Sequence, residues 1–205
     1  VSSGDTYSSA SLGDYTFFAA DDGVHGAELW RTDGTVLGTS MVKDIWPGSD
    51  QWGNIHGSVP TEFVSMGGFV YFAAQDEYHG SELWRTDGTT VGTQLVKDIY
   101  EGNGSWGGPF YSSPHNLTVL GNTLIFAAED ATHGIEVWRT DGTSAGTTLV
   151  DDIYPGTTSN YYNSSSPREF TKFGGYLYFA AYSSTYGDEL WRTDGTEAGT
   201  SLVKD

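Results

Sequence analysis

The chain has 205 residues, with 27 acidic against 9 basic side chains and a formal net charge of -18. A surface that acidic repels phosphate backbones and anionic headgroups, so no nucleic-acid partner and no membrane insertion are expected. The lack of cysteine removes disulfides, thiolate metal sites and cysteine nucleophiles together, and no apolar run approaches the roughly 20 residues that cross a bilayer.

The opening VSSGDTYSSA carries no signal segment and reads as a trimmed or processed end. The first regular elements are YTFFAA at 15–20, ELWRT at 28–32 and SMVKDI at 40–45, and the same series then returns three times. ELWRTDGT occupies 28–35, 82–89 and 189–196, with EVWRTDGT at 136–143. The tryptophans Trp30, Trp84, Trp138 and Trp191 are 54, 54 and 53 residues apart. Pro60, Pro114 and Pro167 each precede their tryptophan by 24 residues, and Thr6 holds that place in the first copy. A fixed period covering the whole chain marks a repeat architecture. The units run approximately 1–48, 49–102, 103–156 and 157–205, within a single domain over 1–205.

Each unit reads as four short strands. The first is TEFVSM, NLTVL or REFTKF, closed by a Gly-Gly or Gly-Asn turn. The second, FVYFAA and its equivalents, is apolar on both alternating faces, as is the third, ELWRT. The fourth is LVKDI. Between the third and fourth lies TDGT, where Asp-Gly accepts the positive φ of a tight hairpin and the threonines bond the turn. A sheet with two apolar faces needs cover on both, and sheets of about 50 residues satisfy this by packing side by side around an axis. The expected fold is all-β, a four-bladed β-propeller with four-stranded antiparallel blades; the alternative is an open array or a fragment of a larger propeller. The paired alanines at 19–20, 73–74, 127–128 and 180–181 suit strands crowded at a narrow axis.

ELWRTDGTxxGT followed by LVKDI, often with Pro-Gly after it, resembles the repeat of the ELWxxDGT family of bacterial proteins, over all four units. The resemblance implies a secreted or cell-surface setting and a propeller-like β architecture, with no defined activity. Asp33, Asp87, Asp141 and Asp194 also give a looser likeness to the Asp-box, a structural hairpin turn in some propeller blades of glycan-active proteins.

Arg31, Arg85, Arg139 and Arg192 recur once per unit, as do Glu28, Glu82, Glu136 and Glu189. Their simplest role is a hydrogen-bonded ion pair tying each unit to itself or its neighbour. Asp22, Asp76 and Asp130 stand three residues before His25, His79 and His133, while the fourth copy has Ser183 and Tyr186. These aspartates are the candidate metal ligands, with calcium as the ion their oxygens would hold; the alternative is that each Asp caps its turn. No serine sits in a nucleophile elbow, and of the arginines only Arg168 lies outside the repeat. No catalytic residue is assigned, and glycoside cleavage by paired carboxylates is the enzymatic alternative.

The copies differ most in the connectors at 46–59, 100–113 and 154–166, longer than the ~2–6 residues usual between elements. They carry Trp46 and Trp52; Tyr100, Trp106, Phe110 and Tyr111; and Tyr154, Tyr161 and Tyr162 among Gly, Ser and Asn. Flat rings stack on sugar faces while small amides bond hydroxyls, so these are the candidate ligand-binding residues. For Trp46, Tyr100 and Tyr154, which repeat, plugging the gap between blades is the competing role. The expected function is a non-catalytic extracellular binding or adhesion module, multivalent and lectin-like. The alternatives are a structural subunit of a filament, surface layer or matrix contacting neighbouring protomers, or a calcium-stabilised spacer.

Overall fold

The computed structural model describes residues 8–104, 107–159 and 161–204. Four four-stranded antiparallel sheets follow one another along the chain, each in simple sequential order, with no helix among the described residues. The first holds β1 (Ala10–Leu12), β2 (Tyr15–Asp21), β3 (Ala27–Thr32) and β4 (Ser40–Lys43), and the second β5 (Thr61–Met66), β6 (Phe69–Asp76), β7 (Gly80–Thr86) and β8 (Gln94–Lys97). The third holds β9 (His115–Leu120), β10 (Thr123–Asp130), β11 (Gly134–Thr140) and β12 (Thr148–Asp151). A two-stranded ribbon of β13 (Thr157–Thr158) and β14 (Tyr161–Tyr162) precedes the fourth, β15 (Arg168–Phe173), β16 (Tyr176–Ser183), β17 (Gly187–Thr193) and β18 (Ser201–Lys204). β4, β8 and β12 stop before the Asp-Ile pairs at 44–45, 98–99 and 152–153.

The alternation explains the stacking. In β6, Val70, Phe72 and Ala74 point back onto Phe17, Leu29 and Val42 of the first sheet. Tyr71 on the opposite side joins Leu83 and Val96 against Leu124, Phe126 and Trp138 of the third sheet. Ile125, Val137 and Val150 of the third sheet likewise meet Leu177, Phe179 and Ala181 of the fourth. Each sheet therefore has a leading face, toward the next sheet, and a trailing face, toward the one before, and the second and third sheets are packed on both. The first strands of successive sheets lie beside one another, β1 on β5, β5 on β9 and β9 on β15, so they form the inner edge of a propeller-like fan.

Polar ties cross each seam. Arg31, Arg85 and Arg139 donate through Nη1 to the carbonyls of Gly88, Gly142 and Gly195 in the next sheet's turn, at 2.8, 2.8 and 3.0 Å. Lys43 and Lys97 donate from Nζ to the carbonyls of Thr93 and Thr147. The repeated Arg therefore ties neighbours as expected, but to carbonyls and not to the repeated Glu; the expected ion pair does not form. The TDGT segment is a seven-residue loop, 33–39, wider than a tight hairpin. Gly34 takes the expected positive φ, and Asp33 accepts from both the amide and the hydroxyl of Thr35.

The three apolar cores join sheets one to two, two to three and three to four. No such core joins the fourth sheet to the first among the described residues. Leu190 is 45% exposed where Leu29, Leu83 and Val137 are buried, and Val203 is 43% exposed where Val42, Val96 and Val150 are buried. The sheets are thus propeller-like, and the expected closure into a four-bladed ring is not seen among the described residues.

Matched substitutions measure what a covering sheet contributes. Leu83→Ala is expected to cost about 2–5 kcal/mol as a core truncation. Leu190→Ala in dilute solution should cost less than ~1 kcal/mol. Urea melts of both variants check this, and equal losses would show the fourth sheet to be covered like the second.

Candidate functional site

All three connectors and the turns between second and third strands lie at one end of the sheets, and they touch. A Cβ on Gly26, Gly80 or Gly134 would stand within 2.0–2.2 Å of the carbonyl oxygens of His56, Phe110 and Asn163. Only glycine lets turn and connector approach so closely, and all three have positive φ.

Each connector is pinned at both ends by the buried glutamate of the preceding sheet. Glu28 accepts from the amides of Ile45 (2.9 Å), Trp46 (3.3 Å) and Ser58 (2.9 Å), and from the Ser58 hydroxyl (2.6 Å). Glu82 repeats this with Ile99, Tyr100 and Ser112, and Glu136 with Ile153 and Ser165. Burial, opposed by these bonds, pushes the Glu82 and Glu136 carboxyls up to about 7. The strap then reaches the next sheet: the carbonyls of Ser58, Ser112 and Ser165 accept from the amides of Gln75, Glu129 and Tyr182. Val59, Ser113 and Ser166, directly after, sit at positive φ. For β-branched Val59 this is a strained conformation, held by the strap bonds on either side.

Between its pinned ends each connector forms a small finger. Ser49 bridges Ile55, Asn103 bridges Pro109, and β13 pairs with β14. In the first finger Asp50 accepts from the amides of Trp52 and Asn54 and from the Asn54 side chain, so Trp52 is presented from a fixed backbone, 77% exposed. In the third finger Tyr161 lies on β14, beside the bridging Tyr162, and is 78% exposed, with Tyr162 and Tyr111 about half-exposed. Trp106 lies outside the described residues. The other candidates pack inward: Trp46 against His56, Tyr100 stacked on Phe110 with ring centroids 4.6 Å apart, and Tyr154 against Tyr182. For Trp46, Tyr100 and Tyr154 the packing role describes what the side chains do.

Two features escape the sequence reading. Tyr78, exposed on the turn after β6, adds an aromatic beside the second connector. Its signal was the one used for the connectors: Val24, Thr132 and Thr185 occupy its place in the other copies. The second is a cavity of about 710 Å³ at the inner edge, lined among others by Ala19, Ala20, Ala73, Glu62, Ser113 and His115. Of the paired alanines expected to crowd the axis, Ala19, Ala20 and Ala73 border this space, while Ala74, Ala128 and Ala181 are packed in the seams.

Asp22, Asp76 and Asp130 cap their turns. Asp22 accepts from the amides of Val24 and His25, and its other oxygen bonds the His25 ring at 2.8 Å; Asp76 and Asp130 do the same with His79 and His133. The His25 bond holds the Asp22 carboxyl down at about 2 and raises the His25 ring. Ser183 takes over the cap in the fourth copy, accepting from the Tyr186 amide, which is why that copy dispenses with Asp and His. Among the described residues no three His, Asp or Glu side chains gather as a metal site, so the calcium reading finds no ligand set there. Arg168 pairs with Asp188.

No protein-family model matches the chain, and no curated protein matches it in sequence. Solved structures do. A puromycin hydrolase S511A mutant complexed with PGG overlays 92% of this chain with a TM-score of 0.55 at 13% identity. A structure from a study of two prolyl endopeptidases covers 93% with 0.52 at 11%. A GH74 xyloglucanase from Xanthomonas campestris overlays more loosely, covering 94% with 0.47 at 12%. The chain spans 26, 24 and 28% of those proteins respectively. The likeness to the first two is one of fold.

The buried glutamates make stability depend on pH. A carboxyl whose pKa rises from 4.5 to about 7 on folding keeps its proton longer in the native state. Its contribution is complete below pH 4.5 and lost as pH rises to about 7. The melting temperature of wild type should fall across this window, and the fall should flatten in a Glu82→Gln/Glu136→Gln double variant. Calorimetry over the pH series reads the slope, and an unchanged slope would mean these carboxyls do not titrate there.

Proposed function

We propose that the protein is a non-catalytic, extracellular carbohydrate-binding module, its four sheets consecutive propeller blades and its connector fingers a row of similar sites. The observation that carries the reading is Trp52. Its ring stands 77% exposed on a finger whose backbone is fixed by Asp50 and whose base is fixed by Glu28. A flat apolar ring held in water by a rigid support has little to offer its own fold. It suits the apolar face of a pyranose, with little ordering entropy left to lose on binding. Tyr161, 78% exposed on the ribbon of the third finger, offers a second ring on the same edge.

Repetition at about 54-residue intervals along one edge favours a polymeric ligand, since linked weak sites gain through effective concentration. A polysaccharide of uncharged sugars fits better than an anionic one, because the net charge of -18 would oppose carboxylated or sulfated chains. The likeness of the repeat to the ELWxxDGT family supports the extracellular setting.

Affinity electrophoresis against a panel of neutral and anionic polysaccharides tests this. Retardation by at least one neutral polymer is expected, weakened about tenfold by Trp52→Ala and again by Tyr161→Ala, a loss of ~1.4 kcal/mol each. Both variants should melt within ~0.5 kcal/mol of wild type, as exposed positions do. Silence across the panel, or binding unaffected in the double variant, would overturn the proposal.

A further inference from the structure

The two ends of the array present faces that are each other's complements. The leading face of the fourth sheet exposes Val203 and, around an open depression of about 610 Å³, Leu190 and Phe173 (73% exposed). The trailing face of the first sheet leaves Phe18 and Trp30 partly exposed, where Phe72 and Trp84, and Phe126 and Trp138, are buried. Thr39 is exposed where Thr93 and Thr147 are fully buried.

The polar ties are interrupted at the same places. Arg192, stacked over Tyr176 like Arg31 over Tyr15, lacks the next-sheet glycine carbonyl its equivalents donate to, and Lys204 is exposed. On the first sheet, a Cβ at Gly34 would meet open space, whereas at Gly88, Gly142 and Gly195 it would touch the preceding sheet. Both end faces of these four sheets keep seam residues, as the covered faces do.

We propose that these faces dock on one another between molecules: the leading face of the fourth sheet packs on the trailing face of the first sheet of a second copy of this chain, head to tail. The occupant follows from continuity with the three seams already described. The same residue types stand at the same positions, so Arg192 meets the Gly34 carbonyl, Lys204 meets the Thr39 carbonyl and the Trp30 ring, and Leu190 and Val203 meet Phe18 and Trp30. Such an interface uses two different surfaces, so it closes into a ring when the rotation permits and otherwise extends as a filament. It is a surface distinct from the aromatic fingers and stands whether or not they bind carbohydrate. With -18 on each copy, association strengthens as salt screens the repulsion.

Light scattering on the 205-residue chain at high micromolar concentration reads the outcome. Wild type is expected at twice the 22.2 kDa monomer mass or more, rising with sodium chloride. Leu190→Asp/Val203→Asp removes the leading face, and Phe18→Asp/Trp30→Asp the trailing face. Each variant alone should be monomeric, and their equimolar mixture should give a dimer, since one intact seam remains between them. Where a charged variant melts early, single-cysteine proteins replace it. The chain has no cysteine of its own, so a bismaleimide should join Lys204→Cys to Thr39→Cys in a mixture and neither to itself. Monomeric wild type at all salt concentrations, self-joining of either cysteine protein, or failure of the mixture to pair would overturn the proposal.

Discussion

Every sheet in this protein is apolar on both sides, and the rest of the structure follows from the need to cover both. A Phe, Leu or Val fully buried contributes about 1.5–3 kcal/mol relative to exposure. An isolated sheet of this kind would leave one or both faces wet and would not hold. Stacking the sheets along the chain solves this locally: Phe72 and Leu83 leave the same sheet on opposite sides and reach different neighbours. The seams stay in register because Arg31, Arg85 and Arg139 each find one particular glycine carbonyl across the gap. Burial supplies the energy, and those bonds fix which position faces which.

The connectors pose the opposite problem, since their backbone amides must be satisfied away from any ladder. The repeated glutamate gathers amides from both ends of a connector onto one carboxylate, at the cost of burying that group. An Ala or Leu at position 82 would spare the desolvation and orphan several buried donors, at about 1–3 kcal/mol for each. The same device separates two functions of the connector. Its ends are fixed to the sheets, while its middle is free to vary in sequence, as the differing tips with Trp52 and Tyr161 do.

Much of this was legible because repetition supplies its own comparison. TEFVSM and REFTKF are strands to the residue, and the doubly apolar FVYFAA correctly implied cover on two sides. The packing role of Tyr100 and Tyr154 was visible in their recurrence, whereas Trp52, matched by Trp106 at the same place in the second copy, gave no such sign of its exposure. The roles of Arg and Glu were harder. Opposite charges recurring three residues apart suggest a pair, but in a strand, side chains an odd number of positions apart point to opposite faces. Arg31 and Glu28 are therefore carried to different partners, a carbonyl of the next sheet and a strap of amides. That backbone groups would be the partners could not be read from side chains alone. The capping role of Asp22 was one of two readings, and only the bonds to the Val24 and His25 amides decide for it.

Whether the array closes could not be read at all, for a physical reason. Leu83 and Leu190 sit in the same octapeptide and have the same preference for burial, and whether the preference is met depends on the angle between successive sheets. That angle is set by the bulk of every seam residue together, and no single motif encodes it. The polar ties show how little the two end sheets were altered. Gly34 keeps its positive φ, and the Asp33–Thr35 clamp is intact although no arginine reaches the loop. The turn is thus stable before any neighbour arrives. Each seam is then the meeting of two finished surfaces and not a mutual refolding. Such a surface has little ordering entropy to lose when it is covered, which is what distinguishes an interface held ready from a face left bare.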